Sequence, residues 1–171
     1  MATNEHYSST WNLTKPKGDE GEQRAARALL RAFPHVATVD WIRTDLESQR
    51  TGDLAAARFD GGVWLVEVKR DIIADRTGNL AVELARKHGP GMLSTGLTTS
   101  QADVWAFVLT RRVVFAKPEE LRRLVDEKRA QGTLHEAYGG DGRRTLLALV
   151  PLLSVLGLAG VVVVDDAEGK R

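Results

Sequence analysis

The chain has 171 residues, 43% of them hydrophobic and 27% charged, which is enough for one ordinary domain with a real core and too balanced for a disordered chain. Its formal net charge is +1, so bulk electrostatics does not draw it to nucleic acid, and any such surface has to come from local clustering. There are no cysteines, which excludes a disulfide frame and a thiolate zinc site. Arginine outnumbers lysine 17 to 7, a balance that suits bidentate phosphate contacts.

Residues 1–17 are polar apart from Trp11 and read as a flexible N-terminal segment, without the basic-then-apolar pattern of a signal peptide. Residues 18–171 read as a single domain. Gly18 to Phe33 has helical periodicity and ends at Pro34. Its apolar stripe is Ala26, Leu29 and Phe33, with Ala25 and Leu30 at the edges, and at about 100° per residue Glu22 falls in the middle of it. A carboxylate there needs a partner, unless it simply favours the positive end of the helix. Val36 to Arg43 is a strand, and Thr51–Phe59 and Val63–Arg70 form a hairpin across Asp60-Gly61-Gly62. Trp41, Trp64 and Trp105 fall on predicted strands and are expected in the core. Arg70 to Asp103 reads as a polar, turn-rich connection with Gly89-Pro90-Gly91 as a mobile loop. Within it Asn79 and Glu83, four apart, would share a helix face.

Val104–Leu109 and Val113–Phe115 are short buried strands. Pro118 to Arg129 is a helix with Glu119 and Glu120 in its first turn and Lys128 and Arg129 in its last, which matches the helix dipole at both ends. Gly139 to Gly142 is a turn. From Leu146 to Val164 nineteen residues carry no charge, long enough to span a bilayer. Pro151, Ser154, Gly157 and Gly160 interrupt that run, so it reads instead as a strand, a short helix from Pro151 to about Leu156, and a final strand Val161–Val164. No membrane association is favoured. The four histidines (His6, His35, His88 and His135) have no ligand spacing.

The chemistry concentrates in Gly52-Asp53 and Glu67-Val68-Lys69. Glu67 and Lys69 are two apart and share one face of a strand, while Val66 and Val68 face the other way. A charged pair inside an apolar strand is costly unless something uses it. Two carboxylates can hold a hard divalent cation, and an ammonium can orient a water or hold a phosphate. Asp53 joins the pair only if its cross-strand partner is odd-numbered. A three-residue loop or glycine bulge at Gly61-Gly62 satisfies that condition, whereas a two-residue turn breaks it. The alternative is a surface hairpin with an ordinary ion pair.

With these residues the chain resembles the PD-(D/E)XK nuclease superfamily, which includes restriction endonucleases, Holliday junction resolvases and phage nucleases. Asp53 stands for the first acid and Glu67-Val68-Lys69 for the E-x-K half, 14 residues on (67 − 53 = 14). Gly52 replaces the usual Pro. The resemblance covers roughly residues 18–115. It implies an α/β (α+β) fold, a restriction-endonuclease-like core whose central mixed sheet is flanked by helices, in the order helix, three strands, helix, strand.

In function the resemblance implies an intracellular (bacterial, archaeal or phage-encoded, cytoplasmic) DNA endonuclease dependent on Mg²⁺, with Mn²⁺ as a substitute, acting on branched or junction DNA as a homodimer. Asp53, Glu67 and Glu22 would be metal ligands and Lys69 the positioning cation. Asp71, Asn79 and Glu83 are second-tier site residues. Arg70, Arg76, Arg86 and Lys87 are candidate DNA contacts, with Arg111-Arg112 and Arg143-Arg144 as alternative patches. The competing expectation is a nuclease-fold module that binds nucleic acid or a partner without catalysis.

Overall fold

The first described helix, α1 (residues 20–32), leads into strand β1 (Val36–Trp41), and the structure, a computed structural model, describes residues 20–42, 52–139 and 141–166. The expectations for residues 1–17, with Trp11, lie outside that range. Strands β2 (Leu54–Arg58) and β3 (Val63–Arg70) follow, then a one-turn helix α2 (Ala74–Thr77) and strands β4 (Asn79–His88) and β5 (Gly91–Ser94). The chain continues through β6 (Val104–Val108), β7 (Arg112–Ala116), helix α3 (Pro118–Ala130), β8 (His135–Gly139), β9 (Thr145–Pro151), helix α4 (Leu152–Leu156) and β10 (Val162–Asp165).

These elements make a mixed α/β fold with two sheets. The larger has the strand order β1-β2-β3-β6-β7-β10 and the smaller β5-β4-β9-β8. In the larger sheet β3 and β6 run parallel and the other neighbours antiparallel. Parallel neighbours need a long crossover, usually a helix. Here the crossover carries α2 and the β4–β5 hairpin, which then belongs to the second sheet.

That hairpin corrects the reading of Arg70 to Asp103 as a loop. Leu80, Val82 and Leu84 are buried and alternate with Asn79, Ala81 and Glu83, the period of a half-buried strand. Gly89-Pro90 is a tight turn between paired strands rather than a mobile loop. Strand β8 was also missed, because His135-Glu136-Ala137-Tyr138 is exposed or half-buried and carries no apolar alternation. The uncharged run at 146–164 forms β9, α4 and β10, and no helix among the described residues is long and apolar enough to cross a membrane.

Two apolar cores lie on opposite faces of the larger sheet. Ala25, Ala28 and Leu29 of α1 pack on Leu54, Ala56, Val66, Val104, Ala106, Val113 and Phe115. The other face presents Trp105, Phe107 and Val114 to Leu80, Val82, Ala148 and Val150 of the smaller sheet and to Leu121 and Leu124 of α3. The expected stripe of α1 is in place: Ala25, Ala26 and Leu29 are buried and Phe33 packs on the same core, while the edge residue Leu30 is 48% exposed. Arg24 is buried beside it. Its guanidinium Nε donates to Asp166 at 2.7 Å and Nη2 donates to the Leu109 carbonyl at 2.8 Å, so the helix turns this cation inward. Trp105 is fully buried as expected, whereas Trp41, on the edge strand β1, is 39% exposed.

Candidate active site

The hairpin between β2 and β3 decides where the first acid points. The Arg58 N–H donates to Gly62 O at 2.8 Å and the Gly61 N–H to Arg58 O at 3.0 Å, leaving Phe59, Asp60 and Gly61 as a three-residue loop. Gly61 has φ +84°, which a side chain resists. The resulting register pairs Leu54 with Val66 and Ala56 with Trp64, and its parity puts Asp53, the residue before β2, on the side of Glu67. Leu54 and Val66 face α1. Asp53, Glu67 and Lys69 therefore share the opposite face.

Strand β2 begins at Leu54, while β3 runs on to Arg70 with, among the described residues, only β6 beside it. In that opening Asp53 Oδ2 accepts the Val68 N–H at 2.7 Å. The Asp53 backbone is held on both sides: its N–H donates to Val66 O at 2.8 Å and its carbonyl accepts from the Ile42 N–H at 3.0 Å. Gly52 makes the approach possible. Its φ is +131°, and a β-carbon there would lie 2.9 Å from Val66 O. The glycine that replaces the usual Pro thus has its own steric reason.

Lys69 Nζ lies 2.5 Å from Glu67 Oε1, and the two side chains remain 29% and 16% exposed, so a ligand can reach both. The ammonium also sits 5.4 Å from the centre of the Trp105 ring, whose Nε1 donates to Ser100 Oγ at 3.0 Å. Burial pushes the Glu67 carboxyl above its usual range; Lys69 pulls it down, and Asp53 and Glu83 push it further up. Burial pulls Lys69 down, but Glu67, Asp53 and Glu83 together outweigh it, and its ammonium is held above the usual lysine value. Lys69 is therefore a retained positive charge and no general base at neutral pH.

Glu83 enters this group from the second sheet. Its Oε1 accepts from Thr95 Oγ1 at 2.7 Å. The register of β4 on β9 slips between Glu83 and Ala85, a bulge that re-aims side chains at this point. Gly96, with φ +55°, lies so close that a β-carbon would come 2.5 Å from Glu83 O. Thr95, Gly96 and Ser100 were anticipated only as part of the polar connection from Arg70 to Asp103, and Trp105 only as core. The signal that could have found them is the burial of Leu97, which draws the Gly96–Thr98 turn onto β4.

The other second-tier residues do other work. Asp71 is buried; its Oδ2 accepts from the Ala81 N–H at 2.9 Å, pinning the end of β3 to β4. Asn79 lies on a strand rather than a helix, and its side-chain amide donates to Thr77 O at 3.1 Å, closing the turn into β4. Glu22 is half-buried on α1, the helix that covers the opposite face of the sheet from Glu67 and Lys69, so the fold does not gather it with Asp53, Glu67 and Glu83. Of the candidate basic contacts, Arg70 pairs with Glu20 at 3.5 Å and packs along Gly21. Arg76 lines a separate cleft with Asp75, Arg111, Arg112 and Asp165, and Arg86 and Lys87 line another with Arg144.

Among the described residues no three His, Asp or Glu side chains gather closely enough, as they stand, to hold a metal ion. The donor chemistry nevertheless suits a hard cation. Mg²⁺ is commonly held by one or two carboxylates, with waters and substrate phosphate completing its shell, and Asp53 and Glu67 are two such groups on one side of the hairpin. No protein-family model, curated protein or solved structure matches this chain.

Proposed function

We propose that the protein is a divalent-cation-dependent DNA endonuclease built on a restriction-endonuclease-like core. The observation that carries this reading is the convergence of Asp53, Glu67 and Lys69 on one face where β2 and β3 part, with Lys69 kept charged by the acids around it. The parallel pair β3 with β6, the one among the described residues, and the helix α1 against the back of the sheet also accord with such a core.

Asp53 and Glu67 would hold Mg²⁺ or Mn²⁺, and the cation, when bound, would neutralise phosphate charge and acidify a water. The chain's own groups do the rest. The Val68 N–H fixes the Asp53 carboxylate, whose two oxygens have lone pairs to spare after one hydrogen bond. Lys69 turns from Glu67 to the attacking water or a phosphate oxygen, where its charge stabilises the transition state. Glu67 first, with Asp53 and Glu83 behind it, holds the lysine protonated, and Glu83 is itself anchored by Thr95. Branched DNA is the proposed substrate and a homodimer the proposed form, since two strands must be cut.

A second reading, a binding module without catalysis, is favoured by the closed Lys69–Glu67 pair and by the lack of a ready three-acid group among the described residues. The test is cleavage of labelled linear duplex, single strand, flap, four-way junction and structured RNA with Mg²⁺, Mn²⁺ or EDTA, beside Lys69→Ala. Metal-dependent cutting lost in the variant supports the nuclease and names its substrate. A folded protein that cuts none of them leaves the binding module.

A further inference from the structure

The second sheet carries a basic cleft that begins where the acidic group ends. Arg86, Lys87 and His88 at the end of β4, Leu93 and Thr95 after the turn, and Arg144 before β9 line one depression of about 390 Å³. The sequence separates Arg86 from Arg144 by 58 positions (144 − 86 = 58). The Lys87 N–H, donating to Arg144 O at 2.8 Å, and the pairing of Arg86 with Thr145 bring them together.

The charge there is uncompensated. Arg58, Arg70, Arg112, Arg123 and Arg129 each sit against a carboxylate, whereas among the described residues Arg86 and Arg144 have no such partner. The clefts at Arg112 and Trp64 include Asp75, Asp165, Asp103 or Glu119 in their linings; among the described residues no acid lines this one. Lys87 is held with its ammonium 4.7 Å from the centre of the Tyr138 ring, which keeps that charge at the surface.

Thr95 joins the two regions. It lines the basic cleft and donates to Glu83, and Glu83 acts on both Glu67 and Lys69. From Glu83 to Arg86 is three strand residues, about 10 Å, or roughly three steps of a nucleic-acid strand at about 3.4 Å each.

We infer that this cleft is the track for the phosphodiester backbone flanking the bond at the acidic group, with Arg86 and Arg144 as its phosphate contacts. The inference rests on the hydrolase reading for what happens at one end of the track, and on charge complementarity for its occupant. An arginine fork suits a phosphate geometrically as well as by charge. The contacts reach backbone and not base edges, so binding is insensitive to base sequence.

The test is fluorescence anisotropy of labelled duplexes of two unrelated sequences, in EDTA, across a salt series. The wild type is compared with Arg86→Ala/Arg144→Ala and with Arg123→Ala/Arg129→Ala, which removes the same charge from α3. Metal-dependent cleavage is measured on the same proteins. The expected result is a Kd raised tenfold or more for Arg86→Ala/Arg144→Ala on both sequences, a salt slope smaller by about 2, and no change for the α3 variant. Equal weakening by both variants, or by neither, overturns the track. So does a wild type that binds no DNA. Cleavage that persists at full rate in Arg86→Ala/Arg144→Ala overturns the track and leaves the hydrolase standing. Binding that depends on Arg86 and Arg144, with no cleavage by the wild type, supports the track and removes the hydrolase.

Discussion

Gly52 shows how little room the site has. A methyl group there meets the Val66 carbonyl on a backbone already at φ +131°, so Gly52→Ala should cost about 1–3 kcal/mol and part β2 from β3, as read by urea unfolding and loss of activity. Asp53→Asn keeps shape and removes charge; it should lower kcat about a hundredfold or more, roughly 3 kcal/mol of barrier, with the fold intact by circular dichroism. Full activity in Asp53→Asn would refute the assignment. Glu67 gives a pH signature. Its folded pKa is raised, so between the ordinary carboxylate value of 4.5 and that raised value the native state holds the proton and the unfolded chain releases it. Stability therefore falls as pH rises through that window. Urea titrations in EDTA should show wild type losing ground to Glu67→Gln from pH 4 upward, and a difference that is flat with pH would contradict the burial argument.

At the scale of elements the β2–β3 hairpin was the most legible part of the chain. Alternation in Val63–Arg70, the glycines of the turn and the parity condition on Asp53 were all readable before any coordinates, and the three-residue loop met that condition. Deleting Gly61 should shift the register by one, turn Leu54 and Ala56 away from α1, and abolish both stability and activity; a folded, active deletion would refute the register. Strand β4 was not legible because the alternation of Leu80, Val82 and Leu84 is short and runs into the polar end Arg86-Lys87-His88. The Glu83 carboxylate is anchored by Thr95, twelve residues later, which no local pattern encodes. Arg24 was hidden for a related reason: its partner Asp166 lies 142 residues away.

For the whole molecule that buried pair is the strap across the back of the larger sheet. Arg24 reaches the end of β6 through Leu109 O and the residue after β10 through Asp166, and Asp166 is in turn held by its own N–H to Arg111 O at 2.7 Å. Removing Arg24 loses its charged hydrogen bonds to Asp166 and to Leu109 O, so Arg24→Ala should cost about 1.5–3 kcal/mol, measured as a lower urea midpoint. A change under 1 kcal/mol would mean water reaches Asp166 freely. Core placement was readable from apolar runs, but the division into two sheets was not, because strands of the smaller sheet come from both sides of α3 in the chain.

That interleaving bears on how the protein is made. Strand β4 pairs with β9, and Thr145 lies 57 positions after His88 (145 − 88 = 57), about 3–11 s of synthesis at ~5–20 residues per second. Strands β1, β2, β3, β6 and β7, with Asp53, Glu67 and Lys69, have left the ribosome by then, while Glu83 still waits for its neighbour. A chain interrupted before β9 therefore holds Asp53, Glu67 and Lys69 without the strand that pairs with β4 beside Glu83.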